Sequence, residues 1–301
     1  MKFHSYDLLR SAVQFRKRND LINLREDRMH DIVIVIPARY NSTRFPGKPL
    51  FKIAGVAMVK RVADIAHSIS EKNKACSYVV ATDDKRIVDF CDQHQIPVKL
   101  TSSACKSGTE RCWDAISSST QKPKFIINLQ GDNPLCPPAV IQGLIDSWRT
   151  SSADMFTPYV QLNWDEYKRL IKRKETTPYS GTTVLVNREG FAMAFSKKVL
   201  PAIRNLREAK KKLVLSPVKQ HIGLYGYTYD ALESYFELPE TLCELNYIEG
   251  LEQMRFLENG LKIKMVEVDY GGRKTTSGVD SPDDIAQVEK ILSEFGELDL
   301  C

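Results

Sequence analysis

The run Ile32-Val33-Ile34-Val35-Ile36 constrains the fold more than any other segment: five consecutive β-branched residues disfavour a helix and suit a strand buried on both faces. Such strands belong to parallel sheets covered by helices. Beyond a loop bearing Pro and Gly, Val56, Val59, Val62, Ala63, Ala66 and Ile69 recur at helical spacing, so strand, loop and helix open a βαβ unit. Tyr78-Val79-Val80-Ala81 reads as the next strand, with a helix through Ile87 and Phe90. Phe125-Ile126-Ile127-Asn128-Leu129 is another, with a helix after Pro137-Pro138. From about 154 to 227 the pattern turns strand-rich, including Thr183-Val184-Leu185-Val186 and Phe191-Ala192-Met193-Ala194-Phe195, with a charged interruption over 204–212. One helix over 245–258, a strand over 263–268 and a helix from Pro282 complete the pattern. The alternation predicts an α/β fold: a mixed, mostly parallel sheet flanked by helices, with a β-rich lobe at about 154–227.

Residues 1–30 differ in character. They carry Arg16-Lys17-Arg18 beside Leu8, Leu9 and Val13 and read as an extension ahead of a domain over 31–301. The net charge of +5 is scattered over the 301 residues, which argues against a dedicated nucleic-acid binder and suits an anionic small substrate. Seven cysteines (Cys76, Cys91, Cys105, Cys112, Cys136, Cys243, Cys301) form no C-x-x-C pair, as expected of free thiols in a reducing compartment. No apolar run approaches the roughly 18 residues of a membrane span, and residues 1–30 lack a signal-peptide core. The expectation is a cytoplasmic protein with no membrane partner.

The loop leaving Ile36 lies where open α/β sheets bind ligands, beyond the carboxyl ends of their strands. Arg39, Arg44 and Lys48 can neutralise a polyphosphate, while Pro46 and Gly47 let backbone N–H groups approach phosphate oxygens. A Walker-type P-loop is excluded, because Ser42 and Pro49 stand where it needs Gly and Ser or Thr. Two carboxylates are placed to reach the same crevice. Asp132 follows a buried strand and a glycine, and Asp280 sits in a Gly-x-Asp turn before the Pro282 helix. Taken singly, Asp132 also reads as a turn residue before Pro134, and Asp280 as a helix cap.

The segment Ile36-Pro-Ala-Arg-Tyr-Asn-Ser-Thr-Arg-Phe-Pro-Gly-Lys-Pro-Leu50 resembles the signature of the 3-deoxy-manno-octulosonate cytidylyltransferases, the CMP-Kdo synthetases of lipopolysaccharide synthesis. Similar segments follow in family order: Ala81-Thr-Asp-Asp-Lys-Arg-Ile87, Ser107-Gly-Thr-Glu-Arg111, Gln130-Gly-Asp132, His221-Ile-Gly-Leu-Tyr-Gly-Tyr227, Ile248-Glu-Gly-Leu-Glu-Gln-Met-Arg255 and Gly278-Val-Asp-Ser-Pro-Asp-Asp284. The resemblance implies a nucleotide-diphospho-sugar-transferase-like fold whose β-rich lobe serves substrate and dimerisation. It implies CTP and a 3-deoxy sugar acid as substrates, pyrophosphate as product, Mg2+ on Asp132 and Asp280, and a homodimer. Arg39 and Lys48 are then catalytic with that pair. Pro37, Ala38, Ser107, Gly108 and Gln130 join Arg39, Arg44 and Lys48 around the nucleotide, with Arg111 structural.

The resemblance places Gln130, His221, Tyr225, Glu249, Glu252 and Gln253 near the sugar acid, the last three at i, i+3, i+4 on one helix face. Departures concentrate on this side. The family's Gly-Asp-Glu-Pro is Gly131-Asp-Asn-Pro134, its Asn-Pro-Asn-x-Val-Lys stretch is replaced around Pro178-Tyr-Ser-Gly-Thr-Thr183, and an arginine after Thr101 is Ser102. Nucleotidyl transfer is therefore expected more firmly than its acceptor, for which another acid or a phosphonate is the alternative. A non-catalytic nucleotide-binding relative is the reading from a different class.

Overall fold

The computed structural model describes residues 30–41, 45–238, 244–270, 273 and 278–300. The extension over 1–29, Arg44, Cys243 and Cys301 lie outside the described residues.

The chain runs from β1 (Ile32–Pro37) through a 3-10 turn (Lys48–Leu50) and the hairpin β2 (Lys52–Ile53) and β3 (Val56–Ala57) into α1 (Met58–Lys72). Then come β4 (Cys76–Thr82), α2 (Lys85–Gln93), β5 (Val98–Leu100), α3 (Gly108–Ser117), β6 (Phe125–Asn128) and α4 (Pro138–Thr150). The stretch 154–227 contributes β7 (Met155–Gln161), α5 (Trp164–Thr176), β8 (Thr182–Val186), β9 (Ala192–Ser196), α6 (Leu206–Lys212), β10 (Lys219–His221) and the start of β11 (Tyr225–Thr228). After α7 (Tyr229–Glu237) come α8 (Glu244–Glu249), α9 (Gln253–Glu258), β12 (Ile263–Glu267) and α10 (Pro282–Phe295).

The expected mixed sheet with flanking helices is present, in the order β5-β4-β1-β6-β11-β7-β10-β8-β9, with β12 on β7. The pairs β4-β5, β1-β4 and β1-β6 are parallel, and this half places the carboxyl ends of β1 and β6 side by side. The alternation of β1 explains its composition. Ile32, Ile34 and Ile36 pack into one core with Val59, Val62 and Ala66 of α1 and Ile141 and Ile145 of α4. Val35 packs into the other with Cys112, Ala115 and Ile116 of α3. Both faces being apolar, every position from Ile32 to Ile36 is β-branched. Four cysteines, Cys76, Cys91, Cys112 and Cys136, are free and buried, acting as small apolar side chains.

Within the strand-rich stretch 154–227, Asn163 and Glu166 form a reciprocal capping box that starts α5, and the charged interruption folds as α6. Two local expectations need correction. Val56 lies in β3, so the helix begins at Met58. The helix expected over 245–258 breaks into α8 and α9 at Gly250, whose φ of 62° turns the chain.

Candidate active site

The cleft opens where β1 and β6 leave the sheet. It holds a cavity of about 150 Å³ and gathers Pro37, Ala38, Arg39 and Lys48 from the first loop with Ser107, Gly108, Gln130, Asp132 and Asp280. Close backbone approach requires one of its glycines: a Cβ at Gly131 would stand 2.6 Å from the Pro37 carbonyl oxygen.

Lys48 occupies the centre of the charge arrangement. Its Nζ donates to Asp132 Oδ2 at 2.8 Å and to the Val279 carbonyl at 2.8 Å, and stands 3.8 Å from Asp280 Oδ1. A small apolar core explains how distant segments meet there: Phe45 from the loop packs with Val279 and with Ile285, Val288 and Ile291 of α10. The Val279 N–H donates to the Asp132 carbonyl at 2.8 Å, laying 278–280 against Asp132. Asp280 does not cap α10. Ser281 and Asp284 form the capping box, and the Asp280 N–H donates to Asp284 Oδ2 at 2.9 Å. Burial disfavours the Asp284 carboxylate, yet these donors, with Ser281 Oγ, hold its pKa below the ordinary value.

Asp132 and Asp280 thus converge on one cation while staying partly exposed, at 30% and 45%. Among the described residues no group of three or more His, Cys, Asp or Glu could cage a metal. Two hard carboxylates suit a divalent ion that completes its shell with water and ligand phosphates.

The other wall is the start of α3. Ser107 caps it by accepting the Glu110 N–H at 3.1 Å, and Gly108 lies so close to Gln130 that a Cβ would stand 3.0 Å from that amide. Gln130 donates to Asn128 Oδ1 at 2.9 Å. Arg111 is buried, donating to Thr101 Oγ1 at 2.7 Å with Asp83 at 3.3 Å.

The residues expected near a sugar acid sit differently from the sequence reading. Glu249, Glu252 and Gln253 share no helix face, because Gly250 intervenes. Glu249 accepts from Ser196 Oγ and the Lys197 N–H, both at 2.9 Å, at the end of β9. Glu252 accepts from Thr109 Oγ1 of α3 at 2.6 Å, and burial raises its pKa despite that bond. Gln253 accepts from Tyr225 Oη at 3.3 Å. His221 is buried, with Nε2 2.7 Å from Thr157 Oγ1; burial and the nearby Lys197 charge lower its pKa to about 3, so it is neutral. None of these five lines the cleft.

Lys197 is a residue the sequence reading missed. It is partly buried at the end of β9, burial lowers its pKa while Glu249 opposes the shift, and its ammonium makes no salt bridge among the described residues. Its signal, a lysine directly after a strand, was masked by Lys198. Around the altered 178–183 stretch, Lys174 Nζ donates to the carbonyls of Ser180 at 2.9 Å, Gly181 at 3.0 Å and Lys197 at 2.5 Å. Thr183 Oγ1 donates to the Lys198 carbonyl at 2.6 Å. Asn133 is buried and does not itself line the cleft, and its amide avoids burying a charge where the family pattern has a carboxylate.

A cytidylyltransferase family model matches residues 33–263. A 3-deoxy-manno-octulosonate cytidylyltransferase of Maricaulis maris is 44% identical over 89% of this chain and 99% of its own. That of Chlamydia pneumoniae is 36% identical over 86% and 92%. A solved CMP:2-keto-3-deoxy-manno-octonic acid synthetase complexed with CTP superposes with a TM-score of 0.73 at 30% identity, covering 87% of this chain and 98% of that one. A nucleotidyltransferase of the cytidylyltransferase class is thus defined by fold and sequence together. The chain belongs to the 3-deoxy-manno-octulosonate cytidylyltransferase family. No helix among the described residues is long and apolar enough to cross a membrane.

Proposed function

We propose that the protein transfers CMP from CTP to the anomeric hydroxyl of a 3-deoxy sugar acid, Kdo or a close relative, releasing pyrophosphate. The carrying observation is the Lys48 ammonium held between Asp132 and Asp280 at the strand-end cleft, cations and carboxylates meeting where a triphosphate and its counterion must meet. In the reaction the hydroxyl oxygen forms a bond to the α-phosphorus and gives up its proton to water, while the bond from that phosphorus to the pyrophosphate oxygen breaks. Arg39 and Lys48 supply positive charge to the triphosphate, with Arg44 assigned the same role. Asp132 and Asp280 would hold Mg2+, which when bound neutralises charge on the transferring and leaving groups. Gly108, Ser107, Pro37 and Ala38 present backbone and hydroxyl groups to the nucleoside, a neutral surface set beside the charged one. On the acceptor side, Lys197, whose backbone N–H is held by Glu249, is the cation suited to the acid's carboxylate, while Gln130, His221, Tyr225, Glu249, Glu252 and Gln253 supply neutral and acidic partners for hydroxyls. We read the active species as a cytoplasmic homodimer.

The test is pyrophosphate release with CTP, Mg2+ and a panel of 3-deoxy sugar acids and phosphonates, repeated with other nucleoside triphosphates and with a chelator. Release that needs CTP, an acid and the metal is expected. Absence of release with every acceptor sinks the reading.

A further inference from the structure

Arg86, in the first turn of α2, sets its guanidinium carbon 3.3 Å from the centroid of the Tyr40 ring. Asp84 grips that guanidinium as a fork, accepting from Nε at 2.9 Å and Nη2 at 2.7 Å, and also caps α2 by accepting the Arg86 N–H at 2.9 Å. The cation is therefore oriented by a helix start and not left to sample rotamers.

Tyr40 also meets Gly47. The Gly47 N–H donates to the Tyr40 carbonyl at 2.9 Å, and a Cβ on Gly47 would lie 3.1 Å from Tyr40 Oη and 3.2 Å from its Cζ. Gly47 holds φ at 74° and leads directly into Lys48, while Arg39 directly precedes Tyr40. The two loop cations that line the cleft thus flank the two residues that are pinned together.

We propose that the Arg86–Tyr40 stack is a positioning device for the triphosphate loop, fixing Gly47 and so aiming Arg39 and Lys48 into the cleft. Neither residue touches the reacting atoms. Holding the loop in its binding geometry before the ligand arrives lowers the ordering cost of binding, so the effect belongs in nucleotide affinity. The inference rests on the CTP reading above.

The experiment measures KM for CTP, KM for the acid and kcat in wild type, Arg86→Met, Tyr40→Ala and Tyr40→Phe, with CTP affinity by calorimetry. Arg86→Met removes the cation from a side chain that is 55% exposed, so the fold should survive. It is expected to raise KM and Kd for CTP about two- to fivefold, the worth of an exposed cation–π contact, with KM for the acid unmoved. Tyr40→Ala is expected to exceed that, and Tyr40→Phe to restore most of the affinity because the ring remains. Packing alone would lower the melting temperature and leave KM for CTP unchanged. Unchanged CTP constants in Arg86→Met, or an equal rise in KM for the acid, overturn the proposal. A wild type that ignores CTP refutes the functional reading instead, which separates the two failures.

Discussion

The strand-end cleft and the region around β9 and β10 are held by opposite kinds of chemistry. In the cleft, charged groups that stay partly exposed are placed by backbone turns: Gly47 and Gly278 at positive φ bring Lys48, Asp132 and Asp280 together. Around β9, buried and partly buried polar groups are locked by hydrogen bonds: neutral, buried His221 on Thr157, partly buried Glu249 on Ser196 and Lys197, and partly buried Lys174 on backbone carbonyls. The difference matches what each side is proposed to hold. A triphosphate and a metal ion exchange in every cycle and favour groups that keep access to water, whereas one acid must be told from another by fixed, desolvated partners.

The largest expected effect separates the two regions outright. Asp132→Asn or Asp280→Asn should reduce Mg2+-dependent kcat on the order of 10³-fold, because a hard anionic ligand worth several kcal/mol is lost at the reacting phosphate. Circular dichroism and melting should stay close to wild type, since both side chains are partly exposed. Near-normal turnover in either variant would remove that residue from the metal site. Next in size, Lys197→Met should raise KM for the acid roughly ten- to a hundredfold, the range for losing one partner of a charge-assisted contact, while KM for CTP stays within about twofold. Equal changes in both constants would show that the region near β9 is not a separate acceptor subsite.

The cleft was legible in the sequence and the acceptor side much less so, for a physical reason. Ile32 to Ile36 declare themselves because both faces of the strand are apolar, and Lys48 and Asp132 lie in the loops that leave β1 and β6, beside turn residues legible in the sequence. Around β9 the determinants are long-range. Glu249 and Gln253 read as one helix face until Gly250 adopts φ of 62°, after which Glu249 bonds at β9 and Glu252 at α3, partners far away in sequence. The helix α5 hid inside a strand-rich stretch, although Asn163 and Glu166 at capping-box spacing were a usable signal.

A third measurement asks whether the buried histidine of the β9–β10 region stays neutral in the folded chain. His221 has its pKa lowered to about 3 by burial and by Lys197, against about 6.5 when unfolded. Between those values the unfolded chain binds a proton that the folded chain does not. Stability contributed by this group is therefore present at neutral pH and lost as pH falls from about 6.5 toward 3, at about 1.4 kcal/mol per pH unit within that window. Urea midpoints of wild type and His221→Gln across pH 4.5 to 7 should show the steeper slope in wild type. Parallel slopes would mean that His221 titrates normally.

The smallest expected effect tests whether the cleft depends on its own supports. Asp284 accepts from the Asp280 and Ser281 N–H groups and from Ser281 Oγ, so it both caps α10 and fixes the backbone that carries Asp280. Its pKa is held below the ordinary aspartate value, so its stabilisation is full above that value and is lost as pH falls through the lower, folded one. Asp284→Asn should lower stability by about 1 kcal/mol at neutral pH, as for other lost caps, and flatten the pH dependence below about 4. If Asp280 owes its place to this bond, kcat should also drop a few-fold, with excess Mg2+ recovering part of the loss. Recovery is the discriminating outcome, because a loosened metal ligand answers to metal concentration and a frayed helix does not. A stability loss with unaltered kcat and metal dependence would assign Asp284 to the helix alone and leave Val279, through its bond to the Asp132 carbonyl, as the support that seats Asp280.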